Sequence, residues 1–221
     1  MDYKNKTEEK SILLLGDGGH CGSVLDSLVT TGDYQRIGII EKEAGKSNNP
    51  LFIGIDSDLL TLFGQGWCEA FITVGSIGDT SVREKLYYQL KTIGFKIPVI
   101  IDPTAAVARD AIIKEGTYIG KRAVINSGCI IGTCAIINSG AIIEHGCIVD
   151  EFCHISSGAV LCGAVSVFKQ THVGAGSVVK QGMTIGKHSL IGIGSVITKD
   201  LPEYVVAYGN PCTVMSNYPE E

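Results

Sequence analysis

From residue 107 to residue 197, every sixth position of the chain is aliphatic. The series runs Val107, Ile113, Ile119, Ile125, Ile131, Ile137, Ile143, Val149, Ile155, Leu161, Val167, Val173, Val179, Ile185, Ile191 and Ile197, with no exception at sixteen positions. Four residues after each comes a mostly small side chain: Ala111, Thr117, Ala123, Cys129, Ala135, Ala141, Cys147, Cys153, Ala159, and later Ser177, Ser189 and Ser195. This is a hexapeptide repeat and predicts a β-helix. Each hexad makes one short strand and one corner, so three make a triangular coil. The aliphatic residue points inward and the small one fits the tight interior. With coils stacked at the strand spacing of ~4.8 Å, about five coils give a prism on the order of 25 Å long.

Before Pro103 the pattern is different. Ser11–Leu15 reads as a buried strand, Gly22–Thr31 as a helix carrying Val24, Leu25, Leu28 and Val29, and Arg36–Ile40 as a second strand. Leu59–Gly64 reads as a short helix, Ala70–Val74 as a third strand, Ser81–Ile93 as a helix with Val82, Leu86, Leu90 and Ile93 on one face, and Val99–Ile101 as a last strand. Strands alternating with helices predict a short parallel sheet with crossover helices. The expected division is an α/β domain over 1–102 and a β-helix over 103–221.

Composition narrows the function. The formal net charge is -5, with 18 Lys+Arg against 23 Asp+Glu and no basic block, which argues against nucleic acid as a partner. The start, MDYKNKTEEK, has no apolar segment of the secretory kind. No uncharged apolar run is long enough for a membrane span. The chain therefore reads as cytoplasmic. Its eight cysteines contain no C-x-x-C pair. Cys129, Cys147 and Cys153 occupy the small slot of the repeat, so core filling explains them better than disulfides or a metal, and none is expected.

The first strand leads into "GDGGHCGSVLDSL", residues 16–28. Glycines between a strand and a helix present free backbone N–H groups at a helix N-terminus, a cradle for phosphate. Gly16 and Gly18 match the dinucleotide fingerprint G-x-G-x-x-G, but Cys21 stands at its last glycine, and no dehydrogenase domain follows. The cradle is read as holding the diphosphate or sugar of a nucleotide sugar, through Gly16, Gly18, Gly19 and a hydrogen bond from His20. Glu41 ends the second strand, where a carboxylate can take a ribose hydroxyl. Gly75 and Ser76, in "ITVGS", end the third strand on the same edge.

The combination G-x-G-G-H, hexads containing I-I-E-H, and a closing G-N-P-C resembles the PglD/NeuD-type sugar acetyltransferases, over nearly all of 11–215. "GNPCTVM" at 209–215 is similar to the G-x-P-A-K stretch of such helices, with Cys212 and Thr213 departing from Ala and Lys. The resemblance implies a Rossmann-like N-terminal domain and a left-handed β-helix. It implies acetyl-CoA as co-substrate and, as acceptor, a nucleotide-linked amino sugar of the UDP-4-amino-4,6-dideoxy type, used for bacterial surface glycans. It makes His145 in "IIEHG" the general base, with direct attack by the acceptor, and puts His154 in "EFCHIS" on the acetyl donor. The N–H of Gly163 becomes the oxyanion donor, with Asn138 as helper, and Gly174, Ala175, Gly192 and Ile193 line the coenzyme A groove. Relatives often carry a carboxylate after the catalytic histidine, where this chain has Gly146. Glu144 precedes His145 and orients it only if the corner breaks strand alternation. His172 and His188 read as surface residues.

Two other functions fit the same residues: O-acetylation of a sialic acid, again through His145, and a non-catalytic sugar-nucleotide-binding scaffold. The hexad register runs unbroken from 107 to 202, leaving no lid loop. A homotrimer with sites between prisms is therefore expected.

Overall fold

The computed structural model describes residues 9–218. Most of the MDYKNKTEEK start, residues 1–8, lies outside the described residues. Four parallel strands, β1 (Ser11–Leu15), β2 (Arg36–Glu41), β3 (Phe52–Ile55) and β4 (Glu69–Ile72), form an open sheet in the order β3-β2-β1-β4. Helices α1 (Gly19–Thr31), α2 (Leu59–Gly64) and α3 (Ser81–Ile93) connect or flank them. The edge strand β3 was not expected: only its inward side is shielded, so "FIGI" carries a weak pattern.

Both long helices form where the periodicity placed them, with their buried faces turned by one residue. On α1 Val24 and Leu28 are buried while Val29 is exposed. On α3 the buried set is Arg83, Leu86 and Leu90, and Val82 faces outward. A guanidinium thus occupies the place expected of an aliphatic side chain, because α3 packs against polar backbone as well as against the sheet.

The rest is the predicted prism. Seventeen two-residue strands, β5 (Ile100–Ile101) to β21 (Val196–Ile197), stack in three parallel sheets. Partners lie one coil apart, as in Ile136↔His154 and Ile142↔Val160. β5 was expected to end the open sheet. It instead pairs with Tyr118–Ile119 and starts the prism, because its carbonyl and amide ladder matches the first coil. The inward residues from Ile119 to Ile197 form one continuous core, each worth roughly 1.5–3 kcal/mol by burial.

The small slot has a second property that explains its Cys, Ser and Thr residues. Six of these side chains donate to the carbonyl fifteen residues on: Thr117 to Gly132, Cys129 to Glu144, Cys147 to Cys162, Cys153 to Phe168, Thr171 to Gly186 and Ser177 to Gly192; Ser189 and Ser195, near the end of the prism, donate instead to the Pro202 and Gly192 carbonyls. Each bond of the fifteen-residue series ties one coil to the next. Burial raises the Cys147 thiol to about 11 and the Cys153 thiol to about 12, so these thiols are packing groups rather than nucleophiles.

The first face of the prism presents Ile100, Tyr118, Ile136, His154, His172 and Leu190 outward. Its upper part is covered: Ile100, Tyr118 and Ile136 share a cluster with Ile12, Leu14, Val24 and Leu28, so α1 is sandwiched between open sheet and prism. The second face presents Ala106, Val124, Ile142, Val160, Val178 and Val196. The third presents Ile112, Ile130, Ile148, Ser166 and Thr184. The corner between third and first faces, carrying Cys134, Phe152 and Gln170, receives the start of α3. A hairpin of β22 (Val205–Gly209) and β23 (Cys212–Asn217) continues the first face. No helix among the described residues is long and apolar enough to cross a membrane.

Candidate active site

The glycine loop is shaped by β1 and by Glu41. Gly16 has φ 104, and a Cβ there would sit 2.8 Å from Val74 Cγ2, so only glycine fits. The carboxylate of Glu41 accepts from the N–H groups of Asp17 (2.5 Å) and Lys42 (3.2 Å). It holds the loop from below. α1 begins at Gly19 behind a Gly18 N-cap, with no side-chain cap and no acidic residue in its first turn. Gly18 and Gly19 face open space. That is a bare helix N-terminus, suited to an anion.

His20 lies in the first turn of α1, at the seam with the prism. Its ring meets Tyr118 edge-on at 5.2 Å, its Cβ lies 3.7 Å from the position a Gly75 Cβ would take, and its buried Nε2 has no hydrogen-bond partner among the described residues. Burial, aided by Arg83, lowers its pKa to about 4. The ring is therefore neutral near pH 7.

His154 reaches the same seam from the first face. Its Nδ1 is 2.9 Å from the carbonyl of Ser76, its Nε2 3.4 Å from Asn138 Nδ2, and its ring is edge-on to His172 at 4.8 Å. Burial holds its pKa near 3, against the raising effect of the Ser76 bond. His172 is buried, not on the surface as its sequence position suggested. It bonds to Ser156 and its pKa falls to about 4, chiefly by burial. The α/β domain covers the first face at this level, which no hexad pattern foretells. His188 is half-buried and stacks on Tyr204.

His145 stands elsewhere, at the corner between second and third faces, exposed. No side chain among the described residues hydrogen-bonds its ring. The imidazole lies over Gly163 of the next coil: a Cβ on Gly163 would fall 2.5 Å from His145 Nε2 and Cε1. A methyl on Gly163 would displace that ring. Its N–H meets no acceptor among the described residues, since the corner bond is made by Ala164 to the His145 carbonyl. Glu144 accepts from Asn126 Nδ2 at 2.9 Å, and no bond joins it to His145.

Gly174 and Gly192 lie at the start of the corner between first and second faces. A Cβ on Gly174 would sit 2.6 Å from the Ile191 carbonyl oxygen, and one on Gly192 2.7 Å from Tyr208 Cβ. Ala175 and Ile193 project from that corner, Ile193 at 80% exposure. One chain therefore gathers His20, Gly75, Ser76, Asn138 and His154 at the domain seam, beside the loop of Gly16, Gly18, Gly19 and Glu41. It keeps His145, Glu144 and Gly163 at a second place, and Gly174, Ala175, Gly192 and Ile193 at a third. Arg83, Tyr118 and His172, which shape the seam, were missed. The signal available was the lack of glycine at 134, 152 and 170, one coil apart, where the other corners are glycine-rich.

A hexapeptide prism with an exposed corner histidine, joined to an α/β domain with a glycine-rich helix N-terminus, defines a left-handed β-helix acyltransferase that carries a second, α/β domain. The model of the PglD N-terminal domain matches residues 11–90. Among solved structures, a variant of perosamine N-acetyltransferase from Caulobacter crescentus, in complex with CoA and GDP-perosamine, is 31% identical with a TM-score of 0.86, over 94% of this chain and 97% of that one. The acetyltransferase domain of PglB from Neisseria gonorrhoeae, in complex with acetyl coenzyme A, is 29% identical with a TM-score of 0.87, over 94% and 100%. WeeI from Acinetobacter baumannii shares the fold at 20% identity, over 93% and 100%, with a TM-score of 0.83. No curated protein sequence matches. The chain belongs to the PglD/NeuD-type sugar acetyltransferases, and it is an enzyme.

Proposed function

We propose that the protein transfers the acetyl group of acetyl-CoA to the amino group of a nucleotide-linked amino sugar, with His145 as general base. The observation that carries this is the His145 corner: an exposed imidazole laid over Gly163, with neither the ring nor the Gly163 N–H hydrogen-bonded among the described residues. The acceptor amine attacks the thioester carbonyl, forming the C–N bond, and its proton passes to the imidazole. The Gly163 N–H stabilises the oxyanion. Collapse breaks the C–S bond, and the proton leaves with the coenzyme A thiol. The perosamine enzyme's complex with CoA and GDP-perosamine supports an amino-sugar nucleotide as acceptor.

In this reading residues 1–102 bind the sugar nucleotide and 103–221 carry the transfer. The α1 N-terminus, through Gly16, Gly18, Gly19 and His20, takes the diphosphate and sugar, with Gly75 and Ser76 beside it and Glu41 bracing the loop. His154 and Asn138 face the acetyl donor, and Gly174, Ala175, Gly192 and Ile193 line its groove. His145 and His154 lie on different sides of one prism, so a site using both draws on a neighbouring copy. The aliphatic second face suits that contact, and the assembly is a homotrimer. The enzyme works in the cytoplasm.

Coenzyme A release across a panel of UDP-, GDP- and CMP-linked sugars, with mass analysis of the product, tests the substrate class. His145→Ala should lower kcat by roughly 10²–10⁴-fold, with the assembly unchanged by light scattering. A variant that keeps more than about a tenth of the rate, against that range, removes His145 as the base.

A further inference from the structure

Arg83 is nearly fully buried, and no carboxylate pairs with it among the described residues. Its Nη1 donates to Ser76 Oγ at 3.1 Å and to the Phe152 carbonyl at 3.3 Å, and its Nη2 to the Cys134 carbonyl. The two carbonyls belong to corner residues one coil apart. Phe152 stands two residues before His154, and Ser76 is the residue whose carbonyl meets the His154 ring. One guanidinium thus braces both ends of the Ser76–His154 contact. The same segment is shielded at Gly78, where a Cβ would fall 2.3 Å from the Tyr218 hydroxyl.

The donor and acceptor pattern leaves one solution. A carbonyl only accepts, so the hydrogen between Ser76 and His154 sits on Nδ1. On the far side, Asn138 Oδ1 accepts from the Ser139 N–H at 2.8 Å, which turns Asn138 Nδ2 toward His154 Nε2. An amide N–H can meet that nitrogen only if it carries a lone pair. The contact is long at 3.4 Å, so a better-placed donor can displace it. We propose that Arg83 and Ser76 are positioning residues that hold His154 as its Nδ1–H tautomer, leaving Nε2 to accept a hydrogen bond from an N–H or O–H group of a bound substrate. The consequence for catalysis rests on the reading of His154 as part of the acetyl-donor site. The tautomer does not.

With five histidines in the chain, ¹⁵N-histidine labelling of the full-length protein resolves each ring, and His154→Gln assigns the signal. The expected native spectrum at pH 7 shows His154 protonated on Nδ1 and not on Nε2. Arg83→Gln and Ser76→Ala should each raise the Nε2–H population, and Arg83→Lys should restore part of the native pattern. Both displaced variants should lose more in kcat than in KM for the sugar nucleotide. If Arg83→Gln does not fold, Ser76→Ala and the native spectrum still decide. A native Nε2–H ring, or an unchanged His154 signal in both variants, overturns the proposal. Full activity of His154→Gln would instead remove His154 from the donor site and leave the tautomer assignment standing.

Discussion

The prism turns its chain in two ways. At the other two corners the left-handed turn position is mostly glycine: Gly140, Gly158, Gly176 and Gly194 on one, Gly128, Gly146 and Gly182 on the other. At the docked corner the same position holds Cys134, Phe152, Gln170 and His188, all with φ between 51 and 60. A left-handed conformation costs an L-residue about 1–2 kcal/mol, so three or four such residues in one column are not neutral. Their contacts show what offsets that cost. The Phe152 ring packs edge-on to Tyr87 at 5.7 Å and lies near Arg83, Gln170 donates to Glu84, and the Cys134 carbonyl takes the Arg83 guanidinium. Arg122 and Ala164 are exceptions on the open corners, and Gly116 on the docked one, where Ile97 and the Cys134 thiol crowd in. The open corners are built for an easy turn with room beside it, and the docked corner for adhesion.

The largest expected effect breaks the docked side with acid. His20, His154 and His172 sit at or beside the seam with folded pKa values of about 4, 3 and 4, below the ordinary 6.5. Between those values the unfolded chain binds more protons, so stability is complete above about pH 6.5 and falls as pH drops. At pH 5 each ring has lost about 2 kcal/mol. Urea midpoints at pH 7.5 and pH 5 measure this, and equal midpoints would disprove the burial argument. Asp102 adds a loss at lower pH. Burial opposes its charge, but bonds from Ser27, Thr104 and Lys121 bring its pKa to about 2, so that contribution fades as pH falls from about 4.

Exchanging the two corner types sharpens the contrast. Phe152→Gly removes a buried ring, worth about 3–5 kcal/mol, and relieves about 1–2 of strain, for a net loss of about 1–4. Gly158→Ala, with open space around the new methyl, should cost only the strain, about 1–2 kcal/mol. Chemical denaturation of both decides. A Phe152→Gly protein as stable as the native one would mean that the docked corner contributes no net adhesion.

The smallest change in stability, and the most local, concerns the open corner at His145. Gly163→Ala pushes a methyl into the imidazole above it. Gly163 has no left-handed φ, so stability should move by less than about 0.5 kcal/mol, as for a surface site. On the proposal that His145 is the base, kcat should fall about 10- to 100-fold, as for a misplaced reacting group. Unchanged kcat with unchanged stability would show that the ring simply moves aside.

How far the molecule could be read from its residues differs between these regions. The aliphatic series at every sixth place, the small slot, and both long helices were legible, because inward direction follows from backbone geometry within a few residues. His145 and Gly163 were legible as a pair one coil apart. His172 was misplaced on the surface, and β5 in the wrong sheet, because each depends on a partner outside its own repeat. Arg83 was hidden by the aliphatic reading of α3, one residue out of phase.

What the sequence determined alone is therefore the periodic part: two halves, their strand and helix content, the prism and its inward face. Six-residue and 3.6-residue periods act through local chain geometry, which every copy of the repeat reinforces. Only the tertiary structure decided which corner is docked, that the Ser76 carbonyl meets His154, and that His145 and His154 lie on different sides of one prism. The Ser76–His154 bond spans 78 residues and the Arg83–Cys134 bond 51. Such contacts arise from the fit of two surfaces formed independently, and nothing in the spacing of either segment encodes the match.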